Sequence, residues 1–499
     1  MQGTRESCLK AIEKWVAEKS EAKVQSNIYW ISGSPGIGKT SLAHSICESL
    51  DHQGQPAGSF QGRLAGAFFC QKGDQKLSEP RNIRSTLIYQ LAMIFPPFRH
   101  RVAEFIRSSP TLTPETMKDL VFLKCFDSYP RSPDHFLVFV IDAFDECGDD
   151  LSRPELLELL AKAVARVSWL KIIITSRPQA DIEDFFDKSS YLQYDLGEDP
   201  EASKDLLKFT QHEFRVVARK WRLPETWPEK SLLDEVISRA SGLFIFIKTL
   251  ALALVACADP TELLKETSEL SGAGLERLYG LYSRIITSLK VPDKAKFQRV
   301  IGVLLTVAPY RALCDETIAE LAEVYPNLVK RWVDELSSLL DRGTNGEIRV
   351  RHLSISEFFH SNGCPSEYRI DRSNANIHLG IACLKTMVSK LCFNICRLED
   401  SRVANAKIED LPSRITENIS DCLQYSSLHW SDHLCFTPAN RDPRVWESLT
   451  EFFEGLCPFY WVEVLSILGM VPIGAPGIRK VISWAKVSPA PPCIQDDSD

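Results

Sequence analysis

Nine consecutive residues constrain this chain most: Gly33, Ser34, Pro35, Gly36, Ile37, Gly38, Lys39 and Thr40 follow the spacing GxxxxGK[ST], with Ser41 directly behind them. Ahead of them lies a short β-branched and aromatic run, residues 27–32 (NIYWIS), and behind them residues 40–50 show helical apolar spacing. The segment therefore reads as strand, loop, helix. Glycines at these intervals let backbone N–H groups close around phosphate, and a helix starting near Lys39 turns the positive end of its dipole toward the same anion. Lys39 is placed to reach the β and γ oxygens of a nucleotide, and the Thr40 hydroxyl to bind Mg2+.

Apolar strands recur downstream at residues 64–70 (LAGAFFC), 136–142 (FLVFVID), 170–175 (LKIIIT) and 191–196 (YLQYDL). Between them, residues 83–94 and 155–167 carry helical patterns. Continuous apolar strands alternating with helices predict an α/β domain with a doubly wound, mainly parallel sheet covered on both faces. Strand signals stop near residue 197, and helical patterns run through 201–222, 230–240, 243–258 and 274–289. Residues 294–359 then read as helices, a polar loop (DRGTNGE) and a strand at 348–352, which suits a winged helix. A helical region follows, in which Trp430, Trp446, Trp461 and Trp484 are expected in the core. This gives an N-terminal helix and linker (1–25), a nucleotide-binding α/β domain (26–197), a helical domain (198–290), a winged-helix domain (291–365), a C-terminal helical domain (366–485) and a disordered tail (486–499). No internal repeat is evident.

At 499 residues the chain is long enough for about three or four packed units, and 44% hydrophobic with 25% charged residues is a globular composition. A net charge of −8 argues against general attraction to nucleic acid. Residues 215–222 hold Arg215, Arg219, Lys220 and Arg222 at helical spacing, more simply a solvated face. Fifteen scattered cysteines, odd in number and without zinc spacing, suit a reducing, cytoplasmic setting. Cys392 and Cys396, one helical turn apart, read as core or interface thiols rather than a metal site. The longest apolar stretch, residues 242–258, carries Lys248 in its middle and reads as a buried helix, not a membrane span.

FLVFVID delivers Asp142 at a strand end, followed by Ala143, Phe144, Asp145 and Glu146. Asp142 is the expected second Mg2+ group, and Asp145 or Glu146 could orient or deprotonate an attacking water. The next strand ends in TSRP. This places Arg177 at the carboxyl edge of the sheet, where it meets either the γ-phosphate or the acidic residues 181–187.

The segments GSPGIGKTS, FVIDAFDEC, IIITSRP and SGLFIF, in this order, resemble the nucleotide-binding core of NACHT-type STAND NTPases, especially the fungal group similar to the nephrocystin-3 N-terminal region. The likeness extends through GTRESCLKAIEKW, RSTLIYQLA, RHLSISEFF, SKLCFNIC and LQYSSLHWSDHL, roughly residues 1 to 465. It implies a signalling switch, closed with ADP, that opens and self-associates with Mg-ATP, or Mg-GTP, and hydrolyses it slowly. A role in fungal non-self recognition or cell death, with an effector or sensor protein as partner, goes with it. On this resemblance His352 matches a winged-helix histidine that contacts the diphosphate, and Arg5 a basic residue near the base. Where many relatives place a proline against the base, this chain has Leu243 and Phe244. The chain starts almost within GTRES and stops without a repeat array, so it is either truncated or works as a core alone. The rival reading is a nucleotide-bound scaffold without turnover, against which Asp145 and Glu146 argue. A small-molecule kinase is disfavoured by the lack of an arginine-rich lid.

Overall fold

The computed structural model describes residues 4–18, 27–51, 62–72, 76–108, 123, 126, 136–189, 191–289, 291–400, 402–437 and 442–487. They fall into two units, Met1–Leu281 and Tyr282–Asp499. The first unit runs α1 (Glu6–Ala17), β1 (Ile28–Ser32), α2 (Lys39–Asp51), β2 (Gly62–Phe69), α3 (Pro80–Ile94), α4 (Pro96–Ser108), β3 (Phe136–Asp142), α5 (Ser152–Arg166), β4 (Leu170–Ser176), α6 (Ala180–Asp187) and β5 (Leu192–Asp195). It continues through α7 (Ala202–Trp221), α8 (Lys230–Ala240), α9 (Phe244–Ala256) and α10 (Pro260–Ser268), and ends within α11 (Leu275–Ser288).

The strands pair in parallel in the order β2-β3-β4-β1-β5. Side chains alternate across a strand, so each apolar strand feeds two cores. Ile28, Trp30, Leu137, Phe139, Ile141, Leu170, Ile172 and Ile174 pack under α3, α4, α5 and α6. On the opposite face Tyr29, Ile31, Val138, Val140 and Ile173 pack under α1 and α2. The expected strand YLQYDL is shorter and less buried than its apolar letters suggest. β5 is an edge strand paired with β1, and Leu192 is 42% exposed.

One buried charge fixes α1 to the sheet. Lys171, 1% exposed on β4, donates to Trp15 O, to Val16 O at 3.2 Å and to Glu18 O at 2.8 Å, the unsatisfied carbonyls at the end of α1. Its ammonium also lies over the rings of Trp15 and Phe136. Burial pulls its pKa down to about 8.

Most of residues 242–258 lies in α9, apolar on nearly every side, with Lys248 reaching out to Glu213 at 2.9 Å. Among the described residues no helix is long and apolar enough to cross a membrane. Arg215, Arg219, Lys220 and Arg222 are exposed, as a solvated face requires.

The second unit holds α12 (Lys294–Val307), α13 (Asp315–Leu321), α14 (Pro326–Glu335), β6 (Leu340–Arg342), β7 (Ile348–Val350), α15 (Leu353–His360) and α16 (Arg372–Lys390), then α17 (Leu411–Asn418), α18 (Asp421–Leu434), α19 (Pro443–Glu454), α20 (Cys457–Ile467) and α21 (Val471–Val487). Two expectations are corrected here. The segment read as the loop DRGTNGE begins inside β6, which pairs antiparallel with β7, and the strand read through His352 stops at Val350 because His352 caps α15. Trp430, Trp461 and Trp484 are core, and the half-buried Trp446 stacks on Trp484 with ring centroids 5.6 Å apart. Cys396 is buried, but Cys392 is exposed, so the two thiols do not share one environment. Of the expected tail, Lys486 and Val487 are helical, and residues 488–499 lie outside the described residues.

Candidate functional site

The glycine loop turns between the end of β1 and the start of α2. Gly38 has φ +100°, a conformation open to glycine, and a Cβ on Gly33 would sit 3.0 Å from the Ile37 side chain and 3.3 Å from that of Leu196. Ile37 is buried in the core beneath α1 and α2, which pins the loop from inside. Ser34, Thr40 and Ser41 are exposed, while Pro35, Gly36, Gly38 and Lys39 are half-buried. The Lys39 ammonium folds back on the loop, donating to Gly33 O at 2.6 Å and Ser34 O at 3.0 Å. Burial lowers its pKa to about 8, opposed by Asp145, Asp142 and Glu146 and reinforced by Arg177. These groups surround one lysine, so the sequence-derived charged set converges at one edge of the sheet.

The strand order explains the convergence. β4 lies between β1 and β3, and the register Ile141 with Ile174 brings Asp142 beside Thr175 at the next position. Thr175 Oγ1 accepts from Ala143 N at 3.1 Å and donates to Asp142 Oδ1. Asp142 is 1% exposed; burial raises its pKa, opposed by the hydroxyls of Thr175 and Thr40 and by the charge of Lys39. Glu146 accepts from Lys72 N at 3.0 Å, and burial likewise pushes its pKa up.

Asp145 is engaged elsewhere. It accepts from Arg177 N at 2.9 Å and pairs with Arg177 Nε at 3.4 Å. The acidic segment that sequence offered as a partner for Arg177 uses Asp181 on Arg153 instead, at 2.7 Å. Arg153 also donates to Cys147 O and Gly148 O, each at 3.3 Å, so one buried guanidinium ties the loop after Glu146 to α6.

Arg5 and His352 occupy different units. Arg5 is 5% exposed with φ 57°. It donates through Nη2 to Ile37 O at 3.0 Å, and through Nη1 to Leu196 O at 3.2 Å and Asp199 Oδ2 at 3.1 Å. Its carbon Cζ lies 5.3 Å from the centroid of Phe244, and its Nε has no hydrogen-bond partner among the described residues. His352 is in the second unit, where Nδ1 accepts from Ser354 N at 3.2 Å and lies 2.7 Å from Ser354 Oγ, itself 2.9 Å from Tyr282 Oη. Accepting from a backbone N–H leaves that nitrogen unprotonated and the ring hydrogen on Nε2.

Sequence reasoning passed over Thr175, Asp199 and Asp205. Thr175 stood inside the quoted TSRP segment, two positions before Arg177, and only strand register shows what it touches. Asp199 and Asp205 gave no signal, because their partner Arg5 lies 194 and 200 residues away.

A parallel sheet with a glycine loop at the end of β1 and a carboxylate at the end of β3 defines a P-loop NTPase domain. Residues 3–177 match the family described as Nephrocystin 3, N-terminal. Over those residues the chain is similar to the NACHT-type P-loop NTPases. No curated protein matches the chain. Among solved structures it is similar to the Walker-type ATPase PABY2304 of Pyrococcus abyssi (14% identity, TM-score 0.32, covering 70% of this chain and 94% of that one). It is also similar to Drosophila ORC bound to DNA (14%, TM-score 0.31, 70% and 92%) and to the Aeropyrum pernix ORC1 protein in complex with DNA (14%, TM-score 0.30, 72% and 92%).

Proposed function

We propose that the chain is a nucleotide-dependent switch of the STAND class that binds Mg-ATP, or Mg-GTP, hydrolyses it slowly, and couples the bound state to opening and self-association. The observation that carries this reading is the buried Asp142 carboxylate, bonded by Thr175 and acted on by the Thr40 hydroxyl and Lys39, so that β3, β4 and the start of α2 meet at one point. Residues 33–41 hold the polyphosphate through backbone N–H groups, and Lys39 leaves the carbonyls of Gly33 and Ser34 for the β and γ oxygens. A hydroxyl and a carboxylate are hard oxygen donors that suit Mg2+, an ion commonly held by one or two carboxylates together with substrate phosphates and water. Thr40 and Asp142 are its ligands in this reading, and Mg2+ would neutralise charge developing on the phosphoryl oxygens.

Glu146 is the group that orients the attacking water and takes up its proton. Burial raises its pKa, which makes it a stronger proton acceptor, and Lys72 N–H fixes one of its oxygens. Asp145 holds Arg177 for the γ-phosphate. We read residues 198–290, 291–365 and 366–485 as helical, winged-helix and C-terminal helical domains, with His352 as the contact that ties the winged helix to the diphosphate and Arg5 beside the base. A cytoplasmic role in fungal non-self recognition or cell-death signalling, with a protein effector or sensor as partner and no nucleic acid, completes this reading.

Denaturing the purified protein and identifying the released nucleotide by chromatography tests the first half, with Lys39→Ala as the variant expected to retain none while keeping its fold. Undiminished affinity in Lys39→Ala overturns the assignment. Sizing with a nonhydrolysable triphosphate tests the second half, because a switch grows in assembly size. Phosphate release equal in wild type and Glu146→Gln would identify a scaffold that binds without turnover.

A further inference from the structure

Two successive carbonyls of the glycine loop are held by segments far away in sequence. Gly36 O accepts from Ile245 N at 3.2 Å, in the first turn of α9, and Ile37 O accepts from Arg5 Nη2 at 3.0 Å. Arg5 in turn is bound by α7 and by the turn that leads into it. Its backbone N donates to Asp205 Oδ2 at 2.6 Å, and its Nη1 meets Asp199, whose other oxygen accepts from Ser7 Oγ and from Glu201 N, each at 3.0 Å. The Arg5–Asp199 pair is almost wholly buried, at 6% and 0% side-chain exposure. Arg5 also holds a left-handed backbone conformation, which a non-glycine residue keeps only when its surroundings impose it.

A peptide unit is planar, so the C=O of Gly36 and the N–H of Ile37 turn together, as do the C=O of Ile37 and the N–H of Gly38. We propose that these two peptides couple the loop to the helical segment: an anion drawing the N–H groups of Ile37 and Gly38 reorients the carbonyls that hold Ile245 and Arg5, and so tightens or loosens α7 and α9. Arg5 is then a positioning residue that carries the state of the loop to Asp199 and Asp205. The inference rests on the reading of residues 33–41 as a polyphosphate cradle and names how that cradle regulates its neighbours.

Hydrogen exchange by mass spectrometry on the full chain, with and without Mg-ADP, tests it. In wild type, ADP protects residues 33–41 and changes exchange in 202–208 and 244–250 by about fivefold or more. In Asp199→Asn, which keeps the Arg5 contacts to Leu196 O and Ile37 O, ADP still protects 33–41 but the change in 202–208 is lost. Unchanged exchange in 202–208 and 244–250 of wild type, with 33–41 protected, overturns the coupling and leaves the cradle standing. So does an undiminished response of 202–208 in Asp199→Asn. If ADP fails to protect 33–41, the cradle reading itself falls, and the coupling with it. Should Asp199→Asn not fold, Asp205→Ala replaces it: that variant removes the acceptor of the Arg5 backbone N–H, and loss of the 202–208 response is again the expected result and its persistence the refuting one.

Discussion

Arg177 grips Asp145 twice, with its backbone N–H on one carboxylate oxygen at 2.9 Å and its Nε 3.4 Å from the other. Both oxygens of Asp145 are thereby engaged by one arginine. In the proposed reading the two acids that follow Asp142 therefore take different tasks, Asp145 orienting a cation and Glu146 facing the reaction.

Substituting each acid by its amide distinguishes these tasks. Glu146→Gln is expected to lower phosphate release by about a hundredfold or more, the usual cost of removing a general base. Asp145→Asn keeps an acceptor for Arg177 N and should lower it by only about tenfold, a little over 1 kcal/mol of barrier. Equal losses in single-turnover phosphate release would contradict the division.

Thr175→Val preserves shape and removes the hydroxyl that donates to Asp142. The buried carboxylate then loses its hydrogen bond from Thr175, and its already raised pKa moves further up. An Mg2+ titration of nucleotide binding should show the half-saturating concentration rising about tenfold, equivalent to about 1.4 kcal/mol. An unchanged Mg2+ requirement would mean that Thr175 acts only on folding.

Nucleotide affinity should fall on the alkaline side. The folded-state pKa of Lys39 is lowered from 10.5 to about 8, so the empty protein loses this proton earlier than the unfolded chain does. Through the window from about 8 to 10.5 the unfolded chain binds more protons at this position, and the lysine's contribution to stability rises with pH. A polyphosphate needs the ammonium and restores its pKa. Above pH 8 binding must therefore take up a proton, and affinity drops toward tenfold per pH unit. Dissociation constants at pH 7, 8 and 9 check this, with Lys39→Arg expected to flatten the profile; a flat wild-type profile would refute it.

Lys171→Met removes the cation that holds the end of α1 and leaves the carbonyls of Trp15, Val16 and Glu18 without that partner. A loss of about 2–4 kcal/mol is expected in chemical denaturation. The loss of an ammonium whose pKa is already pulled down by burial moderates it. Nucleotide affinity should stay within about threefold, since energies at well-separated sites are nearly additive.

The α/β half was legible because both of its periodicities are strong. FLVFVID and LKIIIT are apolar at most positions, as a doubly covered strand requires, and the structure buries nearly all of their residues. Three helices of this unit escaped notice for physical reasons. α4 buries one residue, Phe98, α6 spans only eight residues, and α10 is set by the Asp259 cap on Thr261 and Glu262 more than by an apolar stripe. Lys39, Asp142, Asp145, Glu146 and Arg177 were readable because each follows a loop motif or a strand end. Thr175 and Arg153 were not, since a partner is a fact of register and packing. His352 was read as the end of a strand that stops two residues earlier: its side chain satisfies a helix N-terminus, a task that Asn, Asp or Ser more often perform.

β4 carries a lysine at its second residue and a threonine at its sixth, one bonded to the tail of α1 and the other to Asp142. Four residues of extended chain, roughly 13 Å, separate them. A single strand thus has a foundation end and a working end. Damage at the first should register as heat lability with intact chemistry, damage at the second as faulty chemistry in a protein that melts normally, so lesions in this domain can be sorted by thermometer before any turnover is measured.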